Sequence, residues 1–191
     1  LQLESLEPRE MLAFDPSPFE QAFMESTNRM RTDPQGELSV LFSNVTTIQA
    51  RDSATQSAIE FFGVSASVLL SQWGQLTPVA PVAWNEDLID SAFKHNNQMI
   101  AFDMQEHTLP GEMEIGDRIR AEGYPLNRAT ENIYAFAENH IHGHAGFVID
   151  WGEGPGGIQD PAGHRDNYMD SGVEEIGISV VAESNNSTDV G

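Results

Sequence analysis

The 191 residues suit one domain of ordinary size, long enough to bury a core without disulfide or metal crosslinks. Thirty Asp and Glu residues against nine Lys and Arg give a formal net charge of −21, which disfavours nucleic acid and anionic membranes as partners. Metal cations and basic proteins are compatible with this charge, which solubility alone also explains. The absence of cysteine excludes disulfides, thiolate metal sites and a cysteine nucleophile, and no apolar run is long enough to predict a transmembrane segment.

The first 16 residues predict a leader or linker, because prolines interrupt them and no apolar period is sustained. Their Leu-Glu-Pro-Arg stretch is similar to a segment near the processed start of some exported bacterial surface proteins. We therefore expect a single domain over residues 17–184, a polar tail over residues 185–191, and a secreted or cell-surface location.

Capping patterns predict where the helices begin. Ser17-Pro18-Phe19-Glu20 has the pattern of a capping box with proline in the first turn, and Asp33-Pro34 ends that helix. Residues 37–75 are predicted to be helical but weakly patterned. The residues of that stretch expected in the core are Ala58, Phe61, Phe62, Val68, Leu69 and Trp73.

Asn85 is the predicted cap of the clearest helix, in which Leu88, Ala92, His95 and Met99 recur at helical spacing. Shorter helical segments are predicted over residues 115–122, 143–151 and 164–169, and strands over residues 131–137 and 175–181. A loop rich in glycine and proline over residues 152–163 separates two of these elements.

Three candidate metal ligands lie where loops meet regular elements. His107 precedes a Pro-Gly turn, Glu131 begins a predicted strand and His164 begins a helical turn. Imidazole and carboxylate are the ligand types that zinc takes in cysteine-free sites, and functional residues concentrate at such junctions. Spacing alone does not decide whether the three converge.

The segments that carry these residues resemble the CAP superfamily of cysteine-rich secretory proteins, antigen 5 and plant pathogenesis-related proteins, in its bacterial form. The resemblance runs from Pro18 to about Val181. It rests on the segments 28–31, 82–88, 131–134, 163–167 and 175–178, together with His95, Met99, His107 and Trp151. It implies an α+β fold, an α-β-α sandwich with a small antiparallel sheet flanked by helices and a cleft on one side.

The resemblance also implies two histidines and two glutamates in that cleft, which hold a divalent cation, zinc or calcium, in many members. His107, Glu131 and His164 match three of the four positions. Glu153 is the best match to the fourth, with Asp150 and Asp160 behind it. The family's sheet has a further strand after the Ile-Gly-Ile segment, so we expect an uncovered sheet edge at the end of this chain.

The other histidines have plainer interpretations. His95 lies on an apolar helical stripe and is predicted to be a hydrogen-bonded packing residue. His140, His142 and His144 alternate, which would suit a metal chelate on an extended chain, but a solvated loop is the preferred interpretation. Trp84, Phe93 and Trp151 are predicted core residues. The segments beginning at Asn44 and Asn186 match glycosylation sequons, which are common by chance.

Three functions remain open from the sequence. The leading one is a non-enzymatic extracellular domain whose cation-supported cleft binds a protein partner or a small ligand. The second is a metal-dependent hydrolase in which Glu131 or Glu153 deprotonates a metal-bound water. The third, lipid or sterol binding, follows from family analogy alone. The zincin helix and the nucleophile elbow are both absent from the sequence.

Overall fold

The computed structural model describes residues 15–182, so residues 1–14 of the predicted leader and the whole predicted tail lie outside the described residues. The domain boundaries therefore stay predictions. The eight helices within the described range are α1 (Pro18–Thr32), α2 (Pro34–Leu41), α3 (Ser53–Phe62), α4 (Ala66–Trp73), α5 (Glu86–Phe102), α6 (Ile115–Ala121), α7 (His140–Ile149) and α8 (Gly163–Tyr168). The short strands are β1 (Phe42–Asn44), β2 (Gln49–Ala50), β3 (Ala83–Trp84) and β4 (Glu175–Ile176).

The α+β class is confirmed, with helices around very short ladders. Strands β1 and β2 form an antiparallel pair in which Phe42 lies opposite Ala50. Strands β3 and β4 pair in parallel, with Trp84 opposite Ile176. Of the strand predicted over residues 175–181, only the first two residues join a ladder.

The strand predicted over residues 131–137 is wrong, because this segment joins no ladder among the described residues. Side chains take the place of a neighbouring strand. The side-chain oxygen of Gln105 accepts a hydrogen bond from the Ala135 amide, at 3.2 Å, and Asn167 donates to the Glu131 carbonyl, also at 3.2 Å. Phe136 adopts a left-handed backbone with φ of 63°, which ends any extended run.

The predicted helix starts are confirmed in atomic detail. Ser17 Oγ accepts from the Glu20 amide at 3.2 Å, and the Glu20 carboxylate accepts from the Ser17 amide at 2.9 Å, which completes the capping box. Asn85 Oδ1 accepts from the Leu88 amide at 3.2 Å and starts α5.

Two aromatic residues predicted in the core lie at the surface. Phe61 is 84% exposed and Phe93 is 51% exposed, whereas Trp73 and Trp151 are buried as predicted. The helical period explains both errors. Phe61 follows the buried Ile59 by two residues, about 200° around the helix, and Phe93 precedes the buried His95 by the same interval.

The solvated loop preferred for the alternating histidines is also wrong, because His140 begins α7 and His144 is fully buried. His144 Nε2 lies 3.0 Å from Glu37 Oε1, and the same carboxylate accepts from Arg29, which donates through two nitrogens. Glu37 is itself completely buried. This Arg29–Glu37–His144 triad connects α1, α2 and α7. Arg29 compensates the charge of the buried Glu37, and the uncharged His144 ring donates a hydrogen bond to the same carboxylate.

The triad predicts that the domain loses stability in mild acid. Burial lowers the pKa of His144 in the folded chain. In the unfolded chain the same histidine has a pKa near 6.5, so as the pH falls it takes up a proton that the folded chain does not. Stability is therefore fully present above about pH 6.5 and falls below it, by at most about 1.4 kcal/mol per pH unit for this one group. Urea unfolding at pH 7.5 and 5.5 measures the difference.

Replacing His144 by glutamine retains a donor for Glu37 but removes the titration, so H144Q should lose about 1 kcal/mol less between these two pH values than the parent chain. The control is H140Q, which changes a partly exposed histidine of the same helix. Equal pH dependence in H144Q and the parent chain would contradict the assignment. Burial would raise the pKa of Glu37, but hydrogen bonds from His144 and Arg29 hold it below its usual range, so its contribution is lost only at still lower pH.

Candidate functional site

The structure brings together two of the predicted site residues, His107 and Glu131. His107 Nδ1 lies 2.9 Å from Glu131 Oε1. The His107 side chain is 57% exposed and that of Glu131 is 16% exposed, so solvent reaches the pair from the histidine side. Arg118 of α6 donates to both carboxylate oxygens of Glu131, at 3.0 and 2.8 Å, and also to the His107 carbonyl at 3.2 Å.

A second imidazole approaches the same carboxylate from the interior. His95 is buried on α5, as predicted, and its Nδ1 lies 2.8 Å from Glu112 Oε1, so this nitrogen is the donor when Glu112 is ionised. The other ring nitrogen, Nε2, has no hydrogen-bond partner and lies 3.9 Å from Glu131 Oε1. A buried ring nitrogen without a partner therefore lies close to a carboxylate oxygen that Arg118 and His107 already contact.

His164 is held by a different carboxylate. Its Nδ1 lies 2.7 Å from Asp150 Oδ1, and its amide donates to Asp150 Oδ2 at 2.9 Å. Asp150 is fully buried at the end of α7 and positions the first residues of α8. The connection to the Glu131 segment runs through the backbone, because Asn132 donates to the His164 carbonyl at 3.0 Å.

Glu153 does not lie near the His107–Glu131 pair. It is exposed in the glycine-rich loop and lines a shallow hollow with Phe61 and Phe62. Within residues 15–182, no group of three or more His, Asp and Glu side chains is arranged to hold a metal ion. The full four-residue set of His107, Glu131, Glu153 and His164 therefore stays a prediction.

Glu112 and Arg118, which contact His95 and Glu131, were not predicted from the sequence. Glu112 and Arg118 surround Glu131 and His95, yet both fall in a loop and a short helix without a recognisable motif. One signal was present. Arg118 lies three residues after Ile115 and next to Ile119, on the apolar face of its helix, and a charged residue in such a position is buried only when it is paired.

A cavity of about 470 Å3 adjoins this network, and His95 and Glu131 belong to its wall. The volume falls in the range of small-molecule sites. Apolar wall residues from α1, α5 and the two irregular segments include Phe19, Leu88, Ala92, Ile100, Ile133 and Ile178. Polar side chains also line the cavity. One is Tyr124, whose hydroxyl donates to Glu175 at 2.7 Å, a hydrogen bond that with burial raises the pKa of Tyr124 to about 12.

Of the predicted ligands, only His107 and Glu131 lie close enough together to hold one cation. An imidazole with a carboxylate suits zinc, and a carboxylate suits calcium. The unpartnered His95 Nε2 is the next nitrogen in reach. Arg118 opposes a metal, because its guanidinium already neutralises the Glu131 charge. The geometry therefore suits an open, two-side-chain site completed by solvent or ligand rather than a closed structural one.

Arg118 is expected to be the residue on which the network depends. Replacing it by methionine leaves Glu112 and Glu131 without their buried cation and should lower the free energy of unfolding by about 3 kcal/mol. The control is R120M on the same helix, which breaks the exposed ion pair with Asp117 and should cost less than about 0.5 kcal/mol. Urea denaturation of both variants measures these values.

A double-mutant cycle tests the attribution. If the loss comes from the uncompensated Glu131 carboxylate, adding E131Q to R118M should recover part of it, giving non-additive free energies. Strict additivity of R118M and E131Q would contradict a direct interaction.

Comparison with known proteins agrees with the sequence resemblance. A sequence model described as the cysteine-rich secretory protein family matches residues 24–190, nearly the whole chain. No curated protein and no solved structure matches the chain significantly. The family supports, in general terms, a non-enzymatic domain of the extracellular type. Although it contains no cysteine, the chain belongs to the cysteine-rich secretory protein family.

Proposed function

We propose that this chain is a secreted or cell-surface binding domain that takes a small ligand or a partner group at the cavity beside Glu131, with a divalent cation at the open His107–Glu131 pair. The observation that carries the proposal is that Glu131 belongs both to the pair with His107 and to the cavity wall. Glu131 contacts exposed His107 on one side and forms part of the cavity wall on the other. A group bound in the cavity could therefore complete the coordination of a cation held outside it.

The proposed cation site is open and weak. Two side chains supply ligands, and the remaining positions belong to water or to an oxygen atom of the bound ligand. The strongly negative chain favours cations at its surface, which raises their local concentration. None of the helices in residues 15–182 has the length and apolar character needed to cross a membrane.

Calorimetric titration of chelator-treated protein with zinc and with calcium tests this proposal. One site per chain is expected, and H107Q should weaken it at least about tenfold because it removes one of two ligands. H140Q is the matched control, because it changes a partly exposed histidine that packs against Phe19. Absence of heat with either metal, or equal affinity in H107Q and the parent chain, would count against the cation.

A companion variant separates two versions of the site. H164Q should leave cation affinity unchanged if His107 and Glu131 act alone, because His164 is paired with Asp150. An equally large loss in H164Q would instead support the family's larger ligand set, with both imidazoles on one ion.

The cavity specifically favours an apolar ligand, so lipid or sterol binding is the second candidate. Its walls are mainly aliphatic and aromatic, and such sites bind through buried apolar area with a few polar groups for orientation. The composition of the wall indicates this class of ligand, because burial of an apolar ligand against apolar side chains is favourable.

Replacing Ala92 by phenylalanine puts a ring into the cavity wall on α5 and should weaken binding of a fluorescent fatty acid or sterol by about tenfold or more. A101F makes the same change at an exposed position of that helix and should bind as the parent chain does. Equal binding by A92F and A101F would exclude this cavity as the lipid site.

The hydrolase alternative has no specific support in the geometry. Glu131, the base that such a mechanism would use, accepts hydrogen bonds from Arg118 on both oxygens. Its oxygens are thus directed at Arg118 and His107 and not at a water molecule.

A further inference from the structure

Phe61 presents an aromatic ring to solvent at the last turn of α3. Its exposed fraction of 84% is the highest among the large apolar residues of the described range. The ring is nevertheless anchored, because it packs edge-on against Phe62 with centroids 5.0 Å apart. Phe62 in turn stacks on the buried Trp151, with centroids 6.5 Å apart and planes inclined by 13°. Phe61 is thus the outer end of an aromatic series that begins in the core.

The glycine-rich loop forms the floor beside this ring. Gly157 has a φ of +71°, and a Cβ added there would lie 2.4 Å from the Phe62 carbonyl oxygen, so the loop backbone contacts the end of α3 directly. The Ser65 amide donates to the Gly156 carbonyl at 2.8 Å and fixes the loop to the start of α4. The hollow lined by Phe61, Phe62 and residues 152–157 is therefore preformed.

The charge around the hollow has one sign. Glu60 and Glu153 are both exposed, and Glu153 makes no hydrogen bond or ion pair with any residue of the range 15–182. The lining residues lie within two sequence segments, residues 52–93 and 129–164, that contain no Lys or Arg. An aromatic face beside an unpaired carboxylate is complementary to a cation carried on an apolar stem.

We propose that this hollow is a docking surface for a partner protein segment in which an apolar side chain lies beside arginine or lysine. The apolar side chain packs in the hollow against Phe61 and Phe62, the cation lies over the Phe61 ring, and its charge pairs with Glu153. A rigid aromatic anchor with a rim charge is the usual composition of an interaction hot spot. The surface is separate from the His107–Glu131 pair, so the inference does not depend on the proposed cation or lipid.

Titration of the chain with a capped hexapeptide of alternating leucine and arginine, to about 1 mM, tests the proposal by backbone amide NMR. Shifts should saturate and concentrate at Phe61, Phe62 and residues 152–157. Control peptides with glutamate in place of arginine, or serine in place of leucine, should give no saturable shifts. Binding should weaken at higher salt, because one contact is an exposed ion pair.

Matched variants assign the contacts. F61S should weaken peptide binding about tenfold, whereas F93S, at an exposed phenylalanine of α5, should leave the affinity unchanged. E153Q should weaken it about threefold and reduce the salt dependence, and E86Q, at an exposed glutamate of α5, should do neither. Unsaturable shifts, shifts elsewhere, equal affinity in F61S and F93S, or self-association of the chain through this face would each overturn the proposal.

Discussion

Buried guanidinium groups hold together the parts of this domain that form no regular ladder. Arg31 donates to the carbonyls of Ala80, Tyr168, Asp170 and Val173, and so attaches α1 to the segments leading into β3 and β4. Arg165 donates to two carbonyls at the end of α7, and Arg118 binds Glu131. Backbone carbonyls left by short strands must find donors, and an arginine with five N–H groups satisfies several at once.

This use of arginine also shapes the surface. Of nine basic residues, Arg31, Arg118 and Arg165 are buried, and Arg29 is bound to the buried Glu37. The other basic residues within the range 15–182 are Arg51, Lys94, Arg120 and Arg128, whereas Glu37 and Asp150 are the only acidic residues of that range that are buried. The negative face around Glu153 is therefore a consequence of the interior as much as of the total charge. A partner that meets this surface finds carboxylates without competing intramolecular cations.

The sequence was most informative where one local interaction decides the structure. The capping box at Ser17 and the Asn85 cap involve residues three apart, so their outcome needs no tertiary knowledge. Phe61 and residues 131–137 were predicted wrongly because hydrophobicity and β-propensity compete with the helical period and with side chains distant in sequence. At the site, the His107–Glu131 contact was predicted, but Arg118 and the His164–Asp150 pair depend on long-range geometry.

The Phe61 surface and the cavity are connected by contacts, yet we expect them to bind independently. Phe62 stacks on Trp151, and Tyr134, which lies in the cavity wall, packs against the same indole with centroids 6.4 Å apart. Coupling through such a series needs an element with two alternative arrangements. The close approach of Gly157 to the Phe62 carbonyl leaves the loop little room for a second one. A ligand in the cavity therefore has no differential contact through which to change affinity at Phe61.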